Sequence, residues 1–118
     1  MDFTQAVNSV LTNYAKFDGR ARRPEYWYFV LFNILVSIAA RIVDYILEMI
    51  LGFGFVGFIL GLALLVPGIA VGARRLHDTD RSGWWLLLGF VPVIGWIILI
   101  IWLATEGTKG ENRFGPEV

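Results

Sequence analysis

From Met49 to Ala73 the chain runs for twenty-five residues without one charged side chain. Eighteen or more consecutive uncharged, mostly apolar residues suffice to cross a bilayer, so this stretch predicts a membrane span over 49–73. The prediction narrows the fold at once, because backbone polar groups in lipid must be satisfied within the protein, which leaves helices or a closed barrel. Gly57 and Gly61, then Gly68 and Gly72, repeat a small-xxx-small spacing that permits close helix approach. Pro67 removes a backbone hydrogen bond and predicts a bend.

Two more stretches have spanning length. Tyr26 to Ile46 and Trp84 to Ala104 each cover twenty-one residues, which at ~1.5 Å per helical residue matches a hydrocarbon core of roughly 30 Å. Pro92 and Gly95 interrupt the second of these. We read 84–104 as one kinked span, with a re-entrant hairpin as the alternative that would return the C-terminus to the side it left. Ahead of the spans, Phe3, Val7, Val10, Leu11 and Tyr14 recur at helical spacing, and predict a short amphipathic helix over 2–15. It would lie in the interface plane or pack against the spans. Phe17-Asp18-Gly19-Arg20 reads as a turn. The expected fold is thus all-α: a single membrane domain, 1–118, of three transmembrane helices and an N-terminal amphipathic helix. A charged loop over 74–83 and a polar, extended tail over 105–118 complete it.

Composition agrees, with 57% hydrophobic residues in 118, more than so small a soluble domain could bury. Ten Lys and Arg balance ten Asp and Glu, so no net field recommends nucleic acid as a partner. The absence of cysteine excludes disulfides and thiol chemistry. No basic start and apolar core of a cleaved signal is present, and insertion is expected to be directed by the first span.

The charges are grouped. Lys16, Arg20, Arg22 and Arg23 precede the first span and Arg74, Arg75 and Arg81 follow the second, seven against the three of Arg41, Lys109 and Arg113. With three spans, the positive-inside rule then favours a cytoplasmic N-terminus and an outside C-terminus. Tyr26, Trp27, Trp84 and Trp85 are placed as interfacial membrane anchors. Arg41, Asp44 and Glu48 are spaced three and four apart and share one helix face. They mark either the end of a span emerging into water or an intramembrane polar face.

Arg74-Arg75-Leu76-His77-Asp78-Thr79-Asp80-Arg81 contains the only histidine. Beside two carboxylates it raises a metal or general-base reading, but one histidine without softer ligands makes a weak metal site, and no nucleophile is visibly spaced to partner it. No P-loop, dinucleotide fingerprint or HExxH occurs. No catalytic residue, metal or cofactor is assigned. The structural reading has Asp78-Thr79-Asp80 capping the next helix, and Arg22, Arg23, Arg74, Arg75 and Arg81 forming a basic collar for anionic lipid. Because acids accompany these arginines, we expect an interfacial polar cluster of Asp18, Arg20, Arg22, Arg23, Glu25, Arg74, Arg75, His77, Asp78, Asp80 and Arg81. Its Arg–carboxylate bridges would tie the segment before the first span to the loop after the second.

Three separated motifs, FDGRARRPEYW at 17–27, RRLHD with RSGWW at 74–85, and GENRFG at 110–115, resemble the bacterial domain-of-unknown-function family numbered 805. The resemblance covers about residues 11 to 117 and includes the tail motif Asn112, Arg113, Phe114 and Gly115. It implies a small multi-span protein of the bacterial inner membrane and no catalytic activity. The functional expectation is a non-enzymatic structural, accessory or envelope-related protein, whose partners would be membrane lipids, a second copy or another membrane protein. The alternatives are an oligomeric small transporter or channel lined by Arg41, Asp44 and Glu48, and a membrane enzyme using His77 and Asp78.

Overall fold

A computed structural model describes all of residues 1–118. The element order is α1 (Phe3–Thr12), α2 (Arg23–Leu51), α3 (Val56–Asp78), a 3-10 segment (Gly83–Phe90) and α4 (Ile94–Ala104), with no strand beyond an isolated Asn112–Gly115 bridge. The all-helical expectation holds, and α2 and α3 are the two helices long and apolar enough to span. Only 6% of the apolar window of α2 and 28% of that of α3 is buried against the protein. A core helix of a soluble protein is mostly buried, so these exposed surfaces are ones that lipid covers.

Helix α1 is started by a reciprocal cap in which Asp2 accepts from the Gln5 N–H and the Gln5 side chain accepts from the Asp2 N–H. Its face of Ala6, Val7 and Val10 is buried, and Val10 packs with Ala21, Phe29 and Val71. Helix α1 therefore rests on α2 and α3 rather than on lipid alone. Pro24 opens α2, where its missing N–H costs nothing, and Gly52 closes it in the left-handed conformation. The antiparallel pair α2 and α3 makes the main helix contact, brought close by small residues such as Ala40 opposite Gly57. Pro67 sits buried within a continuous α3.

The third apolar segment departs from the expected kinked span. The 3-10 limb and α4 are joined by a tight reversal at Val91–Val93, where Val93 takes φ +66° and the Ile94 N–H bonds the Pro92 carbonyl at 2.8 Å. The two limbs then run back alongside each other: Trp96 Nε1 donates to Gly89 O at 2.8 Å, and the Trp85 and Trp102 rings meet edge to face at 5.5 Å. Gly95 lies so near the Leu88 carbonyl that any Cβ there would collide with it. Limbs of eight and eleven residues reach only about 16 Å each, roughly half of a ~30 Å core. The two limbs fold against each other, and the C-terminal tail ends beside the N-terminal segment.

Two boundaries also move. Helix α3 continues through Arg74, Arg75, His77 and Asp78, all buried, so these residues are helical and not a loop. The tail is folded back onto the helix ends rather than extended.

Candidate functional site

The last turn of α3 is where the charges converge. Asp78 holds two arginines, one on each carboxylate oxygen: Arg20 Nε at 2.9 Å on Oδ1, and Arg75 Nη1 at 2.8 Å on Oδ2. One turn back, Arg74 Nη1 pairs with Glu25 Oε1 at 2.7 Å, and Ser9 of α1 donates to that same oxygen at 3.0 Å. The side chains in these three pairs are all at most 8% exposed. Burying a charge is costly unless it is paired and hydrogen-bonded, and guanidinium has five donors in a rigid fork to spend.

Each arginine spends them on a different piece of backbone. Arg20 reaches the carbonyls of Thr108, Gly110 (2.7 Å) and Gly115 (3.2 Å) in the tail. Arg75 Nε donates to Leu103 O at 2.9 Å, and its Nη2 donates to Thr105 O. These are terminal carbonyls of α4, left without intrahelical partners and carrying the negative end of its dipole. Trp27 Nε1 also donates to Leu103 O, at 3.1 Å. Arg75 thus caps a neighbouring helix, and Trp27 is a polar clasp as well as an anchor. Arg74 Nε donates to Lys16 O at 3.1 Å, and the Ala21 N–H donates to Arg74 O at 3.0 Å.

His77 does not face Asp78. Its Nδ1 lies 2.9 Å from Gly19 O, and the Phe114 ring stacks on the imidazole with centroids 3.9 Å apart and planes 3° from parallel. Asn112 Nδ2 donates to His77 O at 3.0 Å, while its Oδ1 accepts from the Phe114 N–H. The tail motif therefore closes over the end of α3. Helix α3 ends at Asp78, and the chain turns away at Asp80, which takes φ +60°, as the Asp80 and Arg81 N–H groups turn back to the His77 and Leu76 carbonyls. Arg113 pairs with Asp80 at the surface, 3.3 Å away and 61% exposed.

Of the eleven residues expected in the cluster, Arg20, Glu25, Arg74, Arg75, His77 and Asp78 are brought together and buried. Asp18, Arg22 and Arg23 stay exposed, although Arg23 Nη1 lies 3.4 Å from Ala104 O. Arg81 lies over Trp102 at 4.5 Å, and Asp80 joins only Arg113. Two expectations are corrected. The 78–80 stretch caps nothing downstream: Ser82 accepts from the Trp84 N–H, whereas Thr79 donates back to Leu76 O and Asp78 is engaged by arginines. The basic collar loses Arg74 and Arg75, whose guanidinium groups are buried.

At the opposite end, Arg41 and Glu48 are exposed, and Asp44 alone is engaged. Its carboxylate accepts the Val56 and Gly57 N–H groups at 2.8 and 2.9 Å, capping α3 from α2. Arg41 lies about 27 Å along the helix from Arg23, near the far headgroups.

Sequence reasoning missed Ser9, the carbonyls of Leu103 and Thr105, and Gly107, where a Cβ would overlap the Asp78 carboxylate. A helix end short of partners is a local signal for needed donors; which donors arrive is not.

A family profile described as "Protein of unknown function (DUF805)" matches residues 14–116, and so takes in both halves of the cluster and the tail that covers it. The chain belongs to the DUF805 family. It is 50% identical to the inner membrane protein YhaI of Escherichia coli K12 over 109 residues, 92% of this chain and 91% of the relative. Inner membrane protein YhaH of the same strain is 49% identical over 110 residues, with the same coverage. YiiR is 30% identical over 131 aligned positions, covering 86% and 84%. No solved structure matches. Like YhaI and YhaH, the chain is an inner-membrane protein, and its function is unassigned.

Proposed function

We propose that this DUF805 protein is a non-enzymatic structural or accessory protein, whose buried charge cluster locks α1, the ends of α2 and α3, the hairpin and the tail into one interfacial platform. The observation that carries this reading is Asp78 gripped by Arg20 and Arg75, because the remaining donors of those arginines end on backbone carbonyls of the hairpin and tail. Charge used in this way holds segments together; a general base must keep its lone pair facing a substrate. The separation of His77 from Asp78 likewise favours a structural role for the pair.

The platform belongs on the cytoplasmic face. With the hairpin returning the tail, every Lys and Arg except Arg41 lies at this end, a stronger bias than three crossings would give. Its rim, including the exposed Arg22 and Lys109 and the half-buried Arg81, is the surface offered to a partner in or on the membrane. Photocrosslinking residues placed at these three positions in native membranes test the proposal. A defined protein adduct at one or more of them, lost on Asp78→Asn, is expected; adduct-free recovery from all three would overturn it. Double cysteine labelling checks orientation, with Thr108→Cys accessible from the cytoplasm and Phe53→Cys only from outside.

A further inference from the structure

One nitrogen of the cluster is left over. Arg74 Nη2 is buried and has no hydrogen-bond partner, although the other two guanidinium nitrogens are bonded to Lys16 O and Glu25 Oε1. Arg74 is 3% exposed, and a buried donor is normally satisfied by protein, water or a ligand. Lys16, Glu25 and Arg74 all line the same cavity, and the Arg74 guanidinium is bonded to both of the others.

That cavity measures about 430 Å³ and is walled by the polar face of α1, including Ser9, and by the 16–22 linker. Its volume falls within the ~300–1,000 Å³ of small-molecule sites. Lys16, Arg20, Arg22 and Arg74 line it against the carboxylates of Asp18 and Glu25. The balance is cationic. Arg20 is committed to Asp78 and the tail, but Lys16 and Arg22 are exposed, and none of the four ion pairs uses either. Two exposed cations outside every ion pair and a buried guanidinium donor among the lining residues suit a tetrahedral oxyanion, which accepts several charge-assisted bonds at once. The depth is that of headgroups, since the cavity adjoins the Arg-rich end of α2 and α3.

We propose that this cavity binds a phosphate-class anion, supplied either by an anionic lipid headgroup or by a soluble phosphate ester. Arg74 would fix the anion and Lys16 and Arg22 would attract and close on it. Because the assignment concerns a ligand and not a protein partner, it stands or falls independently of the crosslinks above.

The experiment uses the detergent-purified full chain, with binding read by native mass spectrometry and by the ligand-dependent rise of the thermal midpoint. Three probes separate the sources: short-chain phosphatidylglycerol, inorganic phosphate, and short-chain phosphatidylcholine as the zwitterionic control. Phosphatidylglycerol binding at least tenfold tighter than phosphatidylcholine identifies a headgroup site, whereas saturable binding of inorganic phosphate alone identifies a free-anion site. Either supports the proposal if the double variant Lys16→Gln/Arg22→Gln, which touches no ion pair, weakens binding about tenfold while the ligand-free midpoint stays put. Arg74→Lys keeps a cation for Glu25 but removes the second terminal nitrogen, and is expected to weaken binding by a similar factor. Equal binding of all three probes, or affinity unchanged in the double variant, would show a cavity that merely holds water and would overturn the proposal.

Discussion

The two ends of the α2–α3 pair are built on opposite plans. At the platform end, three buried ion pairs and a fan of arginine-to-carbonyl bonds join five separate segments of chain. At the far end, a single half-buried carboxylate, Asp44, caps α3, and Phe53 and Phe55 stand exposed in the connecting turn. Within lipid the hydrophobic effect does not drive helices together, since acyl chains are as apolar as leucine. Close packing at small residues such as Ala40 and Gly57 and directional polar contacts then decide how the helices sit, and this protein concentrates the polar ones at the Arg-rich end. The comparison teaches that one end fixes the arrangement, while the other needs only a closed turn.

Breaking the comparison begins at Asp78. Asp78→Asn leaves Arg20 and Arg75 buried without their shared counter-charge, and removing one partner of a buried pair typically costs about 3–5 kcal/mol. The expected outcome is a large drop in unfolding midpoint in detergent, with trypsin newly cutting after Lys109 and Arg113. A wild-type midpoint would show that the cluster does not hold the platform.

Gly107→Ala attacks the same end sterically. The added methyl meets the Asp78 carboxylate, and overpacking of this kind costs about 1–3 kcal/mol. Tail release, measured by proteolysis, should exceed the loss of helical signal in circular dichroism.

Asp44→Ala tests the other plan. It removes two cap bonds from α3, worth about 0.5–2 kcal/mol for a helix cap, and should leave the tail as protected as in the wild type. If it lowered the midpoint as far as Asp78→Asn does, the asymmetry between the ends would be gone.

The smallest effect is expected at Arg113→Ala. Its pair with Asp80 is 61% and 49% exposed, and surface pairs of this kind contribute about 0–1 kcal/mol. A shift beyond that range would mean that its stacking on Phe114, 4.8 Å away, matters more than the ion pair.

Much of the fold was legible along the chain. The uncharged run from Met49 to Ala73 gave the membrane, the Phe3–Val7–Val10 spacing gave α1, and the crowding of Arg and Asp around 20–25 and 74–81 marked where polar contacts would gather. The boundaries of α2 and α3 were less legible, because helix continues past the hydrophobic stretch wherever side chains such as Arg75 and Asp78 find partners. The Pro92–Gly95 interruption left two readings open. Their resolution depends on Gly95 admitting the Leu88 carbonyl and on Trp85 meeting Trp102, contacts between limbs that spacing alone does not reveal.

Sequence by itself determined which stretches enter lipid, because transfer from water to hydrocarbon is close to a sum over neighbouring residues and needs no knowledge of distant ones. Tertiary structure alone decided that Arg75 caps α4, that Asp78 serves two arginines while His77 turns to Gly19 and Phe114, and that the tail comes home. Apart from the Arg75–Asp78 contact within one turn of α3, those choices follow from bonds and contacts between groups separated by 28 to 95 positions in the chain. The angle and distance that such bonds require exist only once the helices have packed.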